Sequence, residues 1–559
     1  MLSVIIIWIY MFLSTFLIGY GILGAMTWYI PYRIRHLDSY LMCGLAAVTV
    51  YAQFFSLSGR VGLAANLAMC AAGLAAAWHG RRKLGDMLGK LWSEIRENRS
   101  GERGRMFIIL FLFLLFAYGT SRGIIHYDTG LYHAQSIRWI EEYGIVRGLG
   151  NLHGRLAYNS SSFALSALYS MAFLGGQSYH CAAGWLAFLL AVVSLEVIGS
   201  LREGRLRISD FARVMCIYYL VNIFDEMVSP ASDYFMVLTA FYIVIRWLNL
   251  LEEAARETLP YALLCVLGVF LMTVKLSAAL ILILTIYPAC DLIRDKRLGE
   301  TITYLILGFV TALPCFVRNV LISGWLVYPF TKINVFDVVW KIPKGAADYD
   351  AREIQVWGRG YTDVTRYNIS AREWMPDWFR SLAGSDKLLV TAAAVSVCIL
   401  LIYGIGMMCG LWRKRPGLLL VQITVAASFL FWLCTSPLMR YGCVYVYLMP
   451  AVVLGGVYDE TVTAKKKGIG LCGAAAVFLL LLYKGVALGR LIADSYVNDY
   501  WVLQKDYEIY ETYPYKIEGV TFFCPVEGDQ AGYESFPSSP TEAKIGFLGE
   551  NLEDGFYSR

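Results

Sequence analysis

One hydrophilic stretch, residues 123–162, carries a large share of the side chains in this chain that can do acid–base chemistry. Three of the six histidines fall within it: His126, His133 and His153. The same stretch contains Asp128, in the sequence His-Tyr-Asp-Thr-Gly, between an apolar segment and an amphipathic one. A carboxylate held there can serve as a general base, whereas an aspartate that precedes a helix is also a common N-cap. Both interpretations of Asp128 are open at this point.

The histidines allow two interpretations as well. They can bind a polar substrate, or they can lie at a membrane interface as amphipathic side chains. The His-Glu-x-x-His and His-x-x-x-His spacings, which place two imidazoles on one helix face for a metal ion, are absent. The 13 cysteines are scattered without a Cys-x-x-Cys motif, so neither a zinc site nor a disulfide framework is indicated. The sequence therefore predicts no metal ligands.

Three basic residues interrupt apolar segments elsewhere in the chain. Lys275 lies within the long apolar stretch 261–290, Arg318 near the end of one apolar segment and Arg440 at the start of another. An ionisable residue inside a membrane span costs about 2.5–3.5 kcal/mol, so it usually has a function. At the membrane surface the same residues can be plain anchors whose charge reaches water. Three cations on one membrane face, opposite a carboxylate, are what the handling of a lipid-linked phosphate requires.

The composition shows in what environment these side chains must be held. Hydrophobic residues make up 58% of the 559 residues and charged residues only 16%, with a mean hydropathy of +0.54. Apolar runs of about 17–25 residues, long enough to cross a bilayer, recur along the whole chain. A soluble enzyme, a disordered chain, a coiled coil and a secreted disulfide scaffold are excluded. No basic tract is interleaved with aromatic residues, so no nucleic-acid partner is predicted.

The hydropathy pattern predicts an all-α polytopic membrane protein with about 14 transmembrane helices. The predicted spans cover residues about 3–28, 40–57, 61–78, 106–123, 180–200, 211–224, 234–251, 260–273, 276–293, 301–322, 386–411, 418–434, 441–458 and 468–487. Basic clusters then orient the chain, because loops rich in Lys and Arg remain cytoplasmic. These clusters lie at residues 33–35, 81–105, 202–207, 294–297, 413–415 and 465–467.

One apolar segment does not fit this topology as a span. Counting 159–176 as a span would place every later basic cluster outside, so we expect a helix that lies in, or only dips into, the outer interface. Three hydrophilic regions then face outward: 124–160, 323–385 and the tail 488–559. We expect a multi-pass protein of the cytoplasmic membrane whose active site faces the extracytoplasmic side.

Several short motifs occur in an order that resembles a known superfamily. The first acid after a core span is Asp128, and an amphipathic loop helix and an interfacial helix follow it. The later motifs are Ser-Pro-Ala-Ser-Asp at 229–233, Thr-Val-Lys at 273–275, Arg-Asn with Gly and Tyr-Pro at 318–329, and Arg-Tyr at 440–441. Together they resemble the GT-C superfamily of integral-membrane glycosyltransferases, such as protein O-mannosyltransferases and the aminoarabinose transferases that act on lipid A. The segments Asp-Thr-Gly-Leu-Tyr-His and Gly-Leu-Gly-Asn-Leu-His-Gly-Arg-Leu are also similar to a family of bacterial polytopic membrane proteins of unknown function.

The resemblance covers residues about 106–487 and implies a domain organisation. Residues 1–105 would form N-terminal spans and a basic cytoplasmic loop, 106–487 a GT-C-like core with extracytoplasmic loop helices, and 488–559 an extracytoplasmic tail. It also implies transfer of a sugar from a polyprenyl-phosphate donor to an envelope glycan, lipid or protein acceptor, with inversion. The identity of the acceptor stays open.

The resemblance assigns roles to the residues named above. Asp128 would take the proton of the acceptor hydroxyl, and Lys275, Arg318 and Arg440 would bind the donor phosphate. The residues expected to hold the sugar or the acceptor are His126, Tyr132, His133, Asn151, His153, Arg155, Asn159 and Asp233. Many members carry Asp-Glu in the first loop where this chain has Asp128-Thr129, so a divalent metal stays open and no cofactor is predicted.

Two other classes of function remain as alternatives. A transporter or flippase of lipid-linked sugars predicts charged residues at mid-span positions and two related halves, and neither is seen in the sequence. A non-catalytic subunit of an envelope polysaccharide assembly system predicts that Asp128 can be lost without effect on activity.

The topology can be tested with single cysteines placed in a cysteine-free background. In intact cells a membrane-impermeant maleimide should label cysteines in the regions 124–160, 323–385 and 488–559. It should not label cysteines near residues 90 or 465, because the Lys and Arg clusters hold those loops in the cytoplasm. Labelling after permeabilisation is the control for accessibility. Labelling near residue 465 but not near residue 350 in intact cells would contradict the topology.

Overall fold

The computed structural model describes residues 1–97, 102–409, 415–463 and 467–559, and most of these residues are helical. Within them, eleven helices are long and apolar enough to cross a membrane, or twelve if the bent pair Leu63–His79 and Arg81–Glu94 counts as one span. The chain is therefore an all-α polytopic membrane protein, as its hydropathy predicts. Some members of the predicted basic clusters lie outside the described residues: Arg99, Arg413, Lys414, Lys465 and Lys466.

The helices follow the order of the predicted spans, with short helices between them. In the described part of the chain the α-helices are α1 (Leu2–Tyr29), α2 (Leu37–Ser56), α3 (Leu63–His79), α4 (Arg81–Arg96), α5 (Glu102–Ser121), α6 (Ala134–Glu142), α7 (Ser161–Tyr169), α8 (Ala182–Ser194), α9 (Glu196–Glu203), α10 (Ile208–Asn222), α11 (Ser232–Glu252), α12 (Thr258–Val274), α13 (Ile286–Arg294), α14 (Leu298–Ser323), α15 (Lys344–Gly358), α16 (Ala371–Ser381), α17 (Gly384–Met408), α18 (Pro416–Thr435), α19 (Met439–Thr463) and α20 (Lys467–Asp494). A π-helix covers Thr129–His133, and 3-10 helices include Gly154–Ala157 and Leu276–Thr285. The strands are β1 (Thr512–Ile517), β2 (Val520–Pro525), β3 (Ile545–Phe547) and β4 (Phe556–Ser558).

The predicted count of about 14 spans is not confirmed. Three of the predicted spans correspond to α3, α10 and α12, which have 17, 15 and 17 residues. None of the three is among the eleven long apolar helices of the described residues, although α3 belongs to the bent pair that would make a twelfth span.

The segment 159–176 does not cross the membrane. Its helix, α7, has only nine residues, and all nine are buried. α7 packs against α2 and α6. It therefore lies inside the protein, away from the lipid-facing surface on which an interfacial helix would lie.

α11 is the central helix of the bundle. Its most apolar window is 89% buried, and it packs against α10, α12 and α19. A helix that is apolar on every side requires neighbours all round it. The first turn of α11 carries Asp233, and its last part carries Arg246, whose guanidinium pairs with Asp38 of α2 at 2.7 Å. Ionisable residues thus occur near the two ends of this helix, and apolar residues fill its middle.

The three hydrophilic regions predicted to face outward form one assembly at one end of the bundle, which we call the outer assembly after that prediction. They share a hydrophobic core, to which the first region contributes Trp139, the second Ile342, and the tail Phe522 and Phe556. Regions that share a core must lie on the same side of a membrane. The shared core therefore agrees with the prediction from the basic clusters that all three regions lie on the same side of the membrane.

The C-terminal tail is an integral part of this outer assembly. Its strands pair as two antiparallel hairpins, β1–β2 and β3–β4. Two side chains of α6 hold the tail: Gln135 Nε2 donates to Gly532 O at 2.8 Å, and Arg138 Nη1 donates to Tyr533 O at 2.7 Å. The Arg138 guanidinium also lies over the Phe536 ring. These contacts fix the helix of the first hydrophilic region against the tail.

Removing one buried ring should loosen the tail without unfolding the spans. Phe522 is fully buried against the rings of Tyr515, Phe547 and Phe556, and replacing a buried Phe by Ala costs about 3–5 kcal/mol. We expect Phe522→Ala to make the tail sensitive to limited proteolysis under conditions in which the wild-type tail is resistant, while the fragment with the spans stays intact. Tyr513→Ala, at a 41% exposed position of the same hairpin, is the matched control. Equal protease resistance of the two variants would contradict the packing described here.

Candidate functional site

A cavity of ≈840 Å³ lies where several spans meet the first two hydrophilic regions of the outer assembly. Its walls come from α11, α12, α14, α15, α18 and α19 and from the first hydrophilic region. A volume of this size is typical of a small-molecule site. The predicted site residues that line the cavity are Asp128, Tyr132, Arg155, Asn159, Asp233, Lys275 and Arg440.

Asp128 and Arg440 form one ion pair in this cavity. Arg440 Nη1 lies 2.8 Å from Asp128 Oδ2, and the two side chains are 30% and 17% exposed. Asp128 directly precedes the π-helix Thr129–His133, but its side chain makes no capping hydrogen bond. The N-cap interpretation of Asp128 is therefore wrong. The carboxylate faces the cavity together with its cation.

Asp233 and Lys275 form a second ion pair in the same cavity. The Lys275 ammonium contacts the Asp233 carboxylate, and both side chains are mostly buried. α12 ends at Val274, and the backbone of Lys275 is extended before the 3-10 helix Leu276–Thr285 begins. The long apolar stretch is thus a helical hairpin with Lys275 at its turn. Because its partner is a carboxylate of α11, Lys275 is more than an anchor whose charge reaches water.

The ring of Tyr441 joins the two ion pairs. The Lys275 ammonium lies 4.3 Å from the centroid of this ring, and the Arg440 guanidinium carbon lies 5.3 Å from it. A ring face attracts a cation without neutralising its charge. Both cations therefore contact the same aromatic ring, each with its own carboxylate.

A bend in α19 directs Arg440 and Tyr441 into the cavity. The backbone of Gly442 is non-helical, with φ −156° and ψ 17°. A Cβ atom at Gly442 would lie 2.4 Å from the Trp432 ring of α18, so a larger residue would push the two helices apart. The close approach of α18 and α19 thus sets the position of the Arg-Tyr pair.

Residues of the tail hold the chain on both sides of Asp128. Gln530 Nε2 donates to Tyr127 O at 2.8 Å, and the backbone N–H of Gly532 donates to Gly130 O at 2.9 Å. Gly130 belongs to the π-helix, a conformation that is rare and often occurs at functional sites. The tail therefore acts as a brace for the segment that carries the carboxylate.

The two histidines beside Asp128 do not line the cavity, contrary to the prediction. His126 contacts both members of the ion pair: its Nε2 lies 2.7 Å from Arg440 Nη1, and its Nδ1 accepts from the backbone N–H of Asp128 at 3.1 Å. Burial lowers the pKa of His126, an effect that the Asp128 charge opposes. His133 is 1% exposed and packs against the Phe163 ring, and burial lowers its pKa well below the usual range. His126 therefore orients Arg440, and His133 is part of the core.

Asn151 and His153 also lie outside the cavity. Asn151 Nδ2 donates to Gly148 O at 3.1 Å and to Trp340 O at 2.8 Å, so it ties the first hydrophilic region to the second. His153 precedes the 3-10 helix Gly154–Ala157, and burial lowers its pKa to about 3. The Asn151 amide nitrogen is thus used within the outer assembly, which the sequence alone does not show.

Arg318 lies behind the wall of the cavity. It is 3% exposed, and it donates from Nε to Asn159 Oδ1 at 3.0 Å and from Nη1 to Ser56 Oγ of α2. Asn159, which does line the cavity, also donates to Cys315 O at 3.0 Å. The prediction that Arg318 contacts a donor phosphate is therefore corrected. The position of Arg318 near the end of α14 is as expected, but the side chain is on the face that meets α2.

Arg155 lines the cavity with its charge already balanced by α15. Its Nη1 lies 3.1 Å from Asp350 Oδ1, its Nη2 lies 2.5 Å from Glu353 Oε2, and its guanidinium lies over the Trp357 ring. Sequence analysis missed these three residues of α15. Their spacing of three and four residues places them on one helix face, and this pattern is the signal that could have identified them.

The rim of the cavity combines apolar surface with one cation. Leu276, Phe330 and Phe431 line the cavity and are 48%, 46% and 46% exposed. Lys332 lies on the same rim and has no ion-pair partner among the described residues. A polar interior with an apolar edge suits an amphiphile that has a charged head and a hydrocarbon chain.

The acids of the cavity are arranged around cations of the chain itself. Asp128 and Asp233 each contact a basic side chain, and Asp350 contacts Arg155. In the described ranges, no group of three or more His, Cys, Asp or Glu side chains is placed to hold a metal ion. The chemistry that the described side chains offer is acid–base and anion-binding chemistry.

The part of the chain that forms the cavity also matches a protein family. The family described as Domain of unknown function (DUF8201) matches residues 1–447. The chain belongs to the DUF8201 family. No curated protein and no solved structure matches the chain. All residues that line the cavity, from Asp128 to Tyr445, lie within the segment that matches DUF8201.

The Asp233–Lys275 pair of this DUF8201 protein should show measurable coupling in stability. Asp233→Asn and Lys275→Met each leave a mostly buried charge without its partner, whereas the double variant removes both charges. We expect a coupling energy of about 0.5–3 kcal/mol in a double-mutant cycle of unfolding in detergent. The exposed pair of Arg380 and Asp377 is the matched control, with an expected coupling of about 0–1 kcal/mol. A coupling at Asp233–Lys275 no larger than the control would contradict the ion pair.

Proposed function

We propose that the protein transfers a sugar from a polyprenyl-phosphate donor to an acceptor hydroxyl at the extracytoplasmic face of the cytoplasmic membrane. The observation that carries the proposal is the presence of two carboxylate–cation pairs, Asp128–Arg440 and Asp233–Lys275, in one cavity with an apolar rim. The order of the sequence motifs, which resembles that of the GT-C superfamily, supports the same assignment. The proposal assigns each pair a step in the transfer.

The phosphate of the donor would bind between Lys275 and Arg440. The two cations lie on the ring of Tyr441, and a guanidinium offers two parallel N–H donors to phosphate oxygens. The hydrocarbon chain of the donor would leave the cavity past Leu276 and Phe330, whose exposed surfaces a bilayer would cover. This orientation keeps the charged head in the polar interior and the lipid in the membrane.

The sugar would lie between the phosphate and the first hydrophilic region. Tyr132, Tyr158 and Trp357 line that part of the cavity and offer ring faces against which a sugar can pack. Asn159 and Arg155 line it as well. The amide N–H groups of Asn159 are donated to Cys315 O and Asn319 Oδ1, so Arg155 would supply the N–H donors to the sugar. Arg155 is held by two carboxylates of α15, so its position would change little when a sugar enters.

The reaction is a displacement at the anomeric carbon. The acceptor oxygen forms a bond to this carbon on the face opposite the phosphate, and the bond from the carbon to the phosphate oxygen breaks. The hydroxyl proton passes to Asp128. The products are a glycosylated acceptor with inverted configuration and polyprenyl phosphate, which carries one more negative charge than the phosphate of the donor.

The Asp128–Arg440 pair suits this reaction because charge moves from one partner of Arg440 to the other. Asp128 loses its negative charge when it accepts the proton, while the leaving phosphate gains one. A guanidinium between them is balanced by a counter-charge throughout, which stabilises the transition state. The donor phosphate offers Arg440 a second partner, so the Asp128 carboxylate would be free to contact the acceptor hydroxyl once the donor is bound.

The class of activity is tested with purified protein, radiolabelled polyprenyl-phosphate sugars and envelope acceptors. A transferase releases free polyprenyl phosphate in step with the appearance of label in the acceptor. A transporter would move the intact donor across a liposome bilayer without releasing the phosphate, and a non-catalytic subunit would do neither. Either of these two results would contradict the proposal.

The role of Asp128 is tested by Asp128→Asn in the same assay. A positioned base contributes about 10²–10⁴-fold, so turnover should fall by that factor. Donor binding should stay the same or become tighter, because Asn cannot compete with the phosphate for Arg440. Glu142→Gln, which removes a 49% exposed acid from the same hydrophilic region, is the matched control and should retain activity. Unchanged turnover of Asp128→Asn at equal protein level would remove Asp128 from the mechanism.

A further inference from the structure

A long apolar slot lies between the N-terminal helices and the core of the bundle. It has a volume of ≈480 Å³ and is lined by α1, α2, α11, α12 and α14. Along α2 it extends from Ser39 to Phe54, which is about 22 Å at 1.5 Å per residue. Val310 of α14 lines the slot and is 41% exposed, so the slot reaches the surface of the bundle that faces lipid. Its shape and lining are those of a site for one hydrocarbon chain.

One end of this slot opens into a polar recess. The recess and the slot share Tyr32, Ile34 and Arg35, and the recess also includes Arg33 and Glu257. This end lies in the segment between α1 and α2 and at the start of α12, where the basic clusters predict the cytoplasmic side. The recess shares no lining residue with the cavity described above.

The charges of the recess are of both signs and are only partly paired. Arg35 Nη1 lies 2.5 Å from Glu253 Oε2. Deeper in the slot, Arg246 is balanced by Asp38. Arg33 and Glu257 have no ion-pair partner among the residues that the structure describes. One cation and one anion therefore face the same open space at the mouth of an apolar slot.

We propose that the slot and the recess bind one phosphatidylethanolamine molecule of the bilayer. One acyl chain would fill the slot, the phosphate would lie at Arg33 and Arg35, and the ammonium would donate to Glu257. The head groups of other common phospholipids match the recess less well. A choline group has no N–H to donate to a carboxylate, and a glycerol head group leaves Glu257 without a counter-charge. Bound in this way, the lipid would fasten α1 and α2 to the core.

Native mass spectrometry of the full-length protein tests this proposal. The purified protein is offered equal amounts of phosphatidylethanolamine, phosphatidylglycerol and phosphatidylcholine with identical acyl chains, and we expect it to retain phosphatidylethanolamine preferentially. Glu257→Gln should reduce the preference over phosphatidylcholine about three- to tenfold, the effect of a charge-assisted hydrogen bond that water partly screens. Arg256→Gln, at an exposed neighbouring position outside the lining of the recess, is the matched control and should leave the preference unchanged.

A second variant tests the slot itself. Ala46 lines the slot, so Ala46→Phe should occupy the space of the acyl chain and reduce the retention of all three lipids. Circular dichroism and size-exclusion chromatography verify that the variant is folded. Equal retention of the three lipids by the wild-type protein, preferred retention of phosphatidylglycerol, or a preference for phosphatidylethanolamine that survives Glu257→Gln would overturn the proposal.

Discussion

The pairing of charges at the outer ends of the spans constrains how the rest of the protein is arranged. A charge taken out of water is costly unless a counter-charge reaches it. Asp128 comes from the first hydrophilic region, Asp233 from α11, Lys275 from the turn after α12 and Arg440 from the bent start of α19. Four elements that are distant in the sequence must therefore meet at one point. The cavity is the space that they enclose, and its apolar rim lies where a membrane would cover it.

The outer assembly makes this meeting point rigid. The tail braces the segment around Asp128, α15 balances the charge of Arg155, and the Arg318 guanidinium holds Asn159 from behind. Each of these contacts joins a segment or side chain at the cavity to another part of the protein. The groups that face the cavity are therefore held in one orientation. Preorganised charges of this kind stabilise a transition state without having to reorganise during the reaction. The outer assembly is thus the structural counterpart of the proposed chemistry.

The sequence predicted the helical spans and several of the residues at the cavity, because these depend on hydropathy and on short motifs. Hydropathy predicted a polytopic helical protein, and the motif order singled out Asp128, Lys275 and Arg440, which the fold brings into one cavity. A pattern of single residues does not show which face of a helix meets which neighbour, and so Arg318 and His133 were expected in a cavity that they do not line. The contacts of α15 and of the tail join chain segments that are hundreds of residues apart. The amino-acid composition of a segment does not show whether it packs against a distant segment or remains exposed, so these contacts could not be predicted. Helix ends are equally hidden, so the predicted bounds of the spans differ from the ends of the helices.

In the proposed reaction, Lys275 and Arg440 exchange their carboxylate partners for the phosphate of a lipid. A structure of the protein with bound polyprenyl phosphate, determined by cryo-electron microscopy, would show this exchange. We expect phosphate oxygens within hydrogen-bonding distance of both cations, Arg440 displaced from Asp128, and the hydrocarbon chain leaving the cavity past Leu276. A phosphate bound at another place, or one in the cavity with both ion pairs intact, would contradict it.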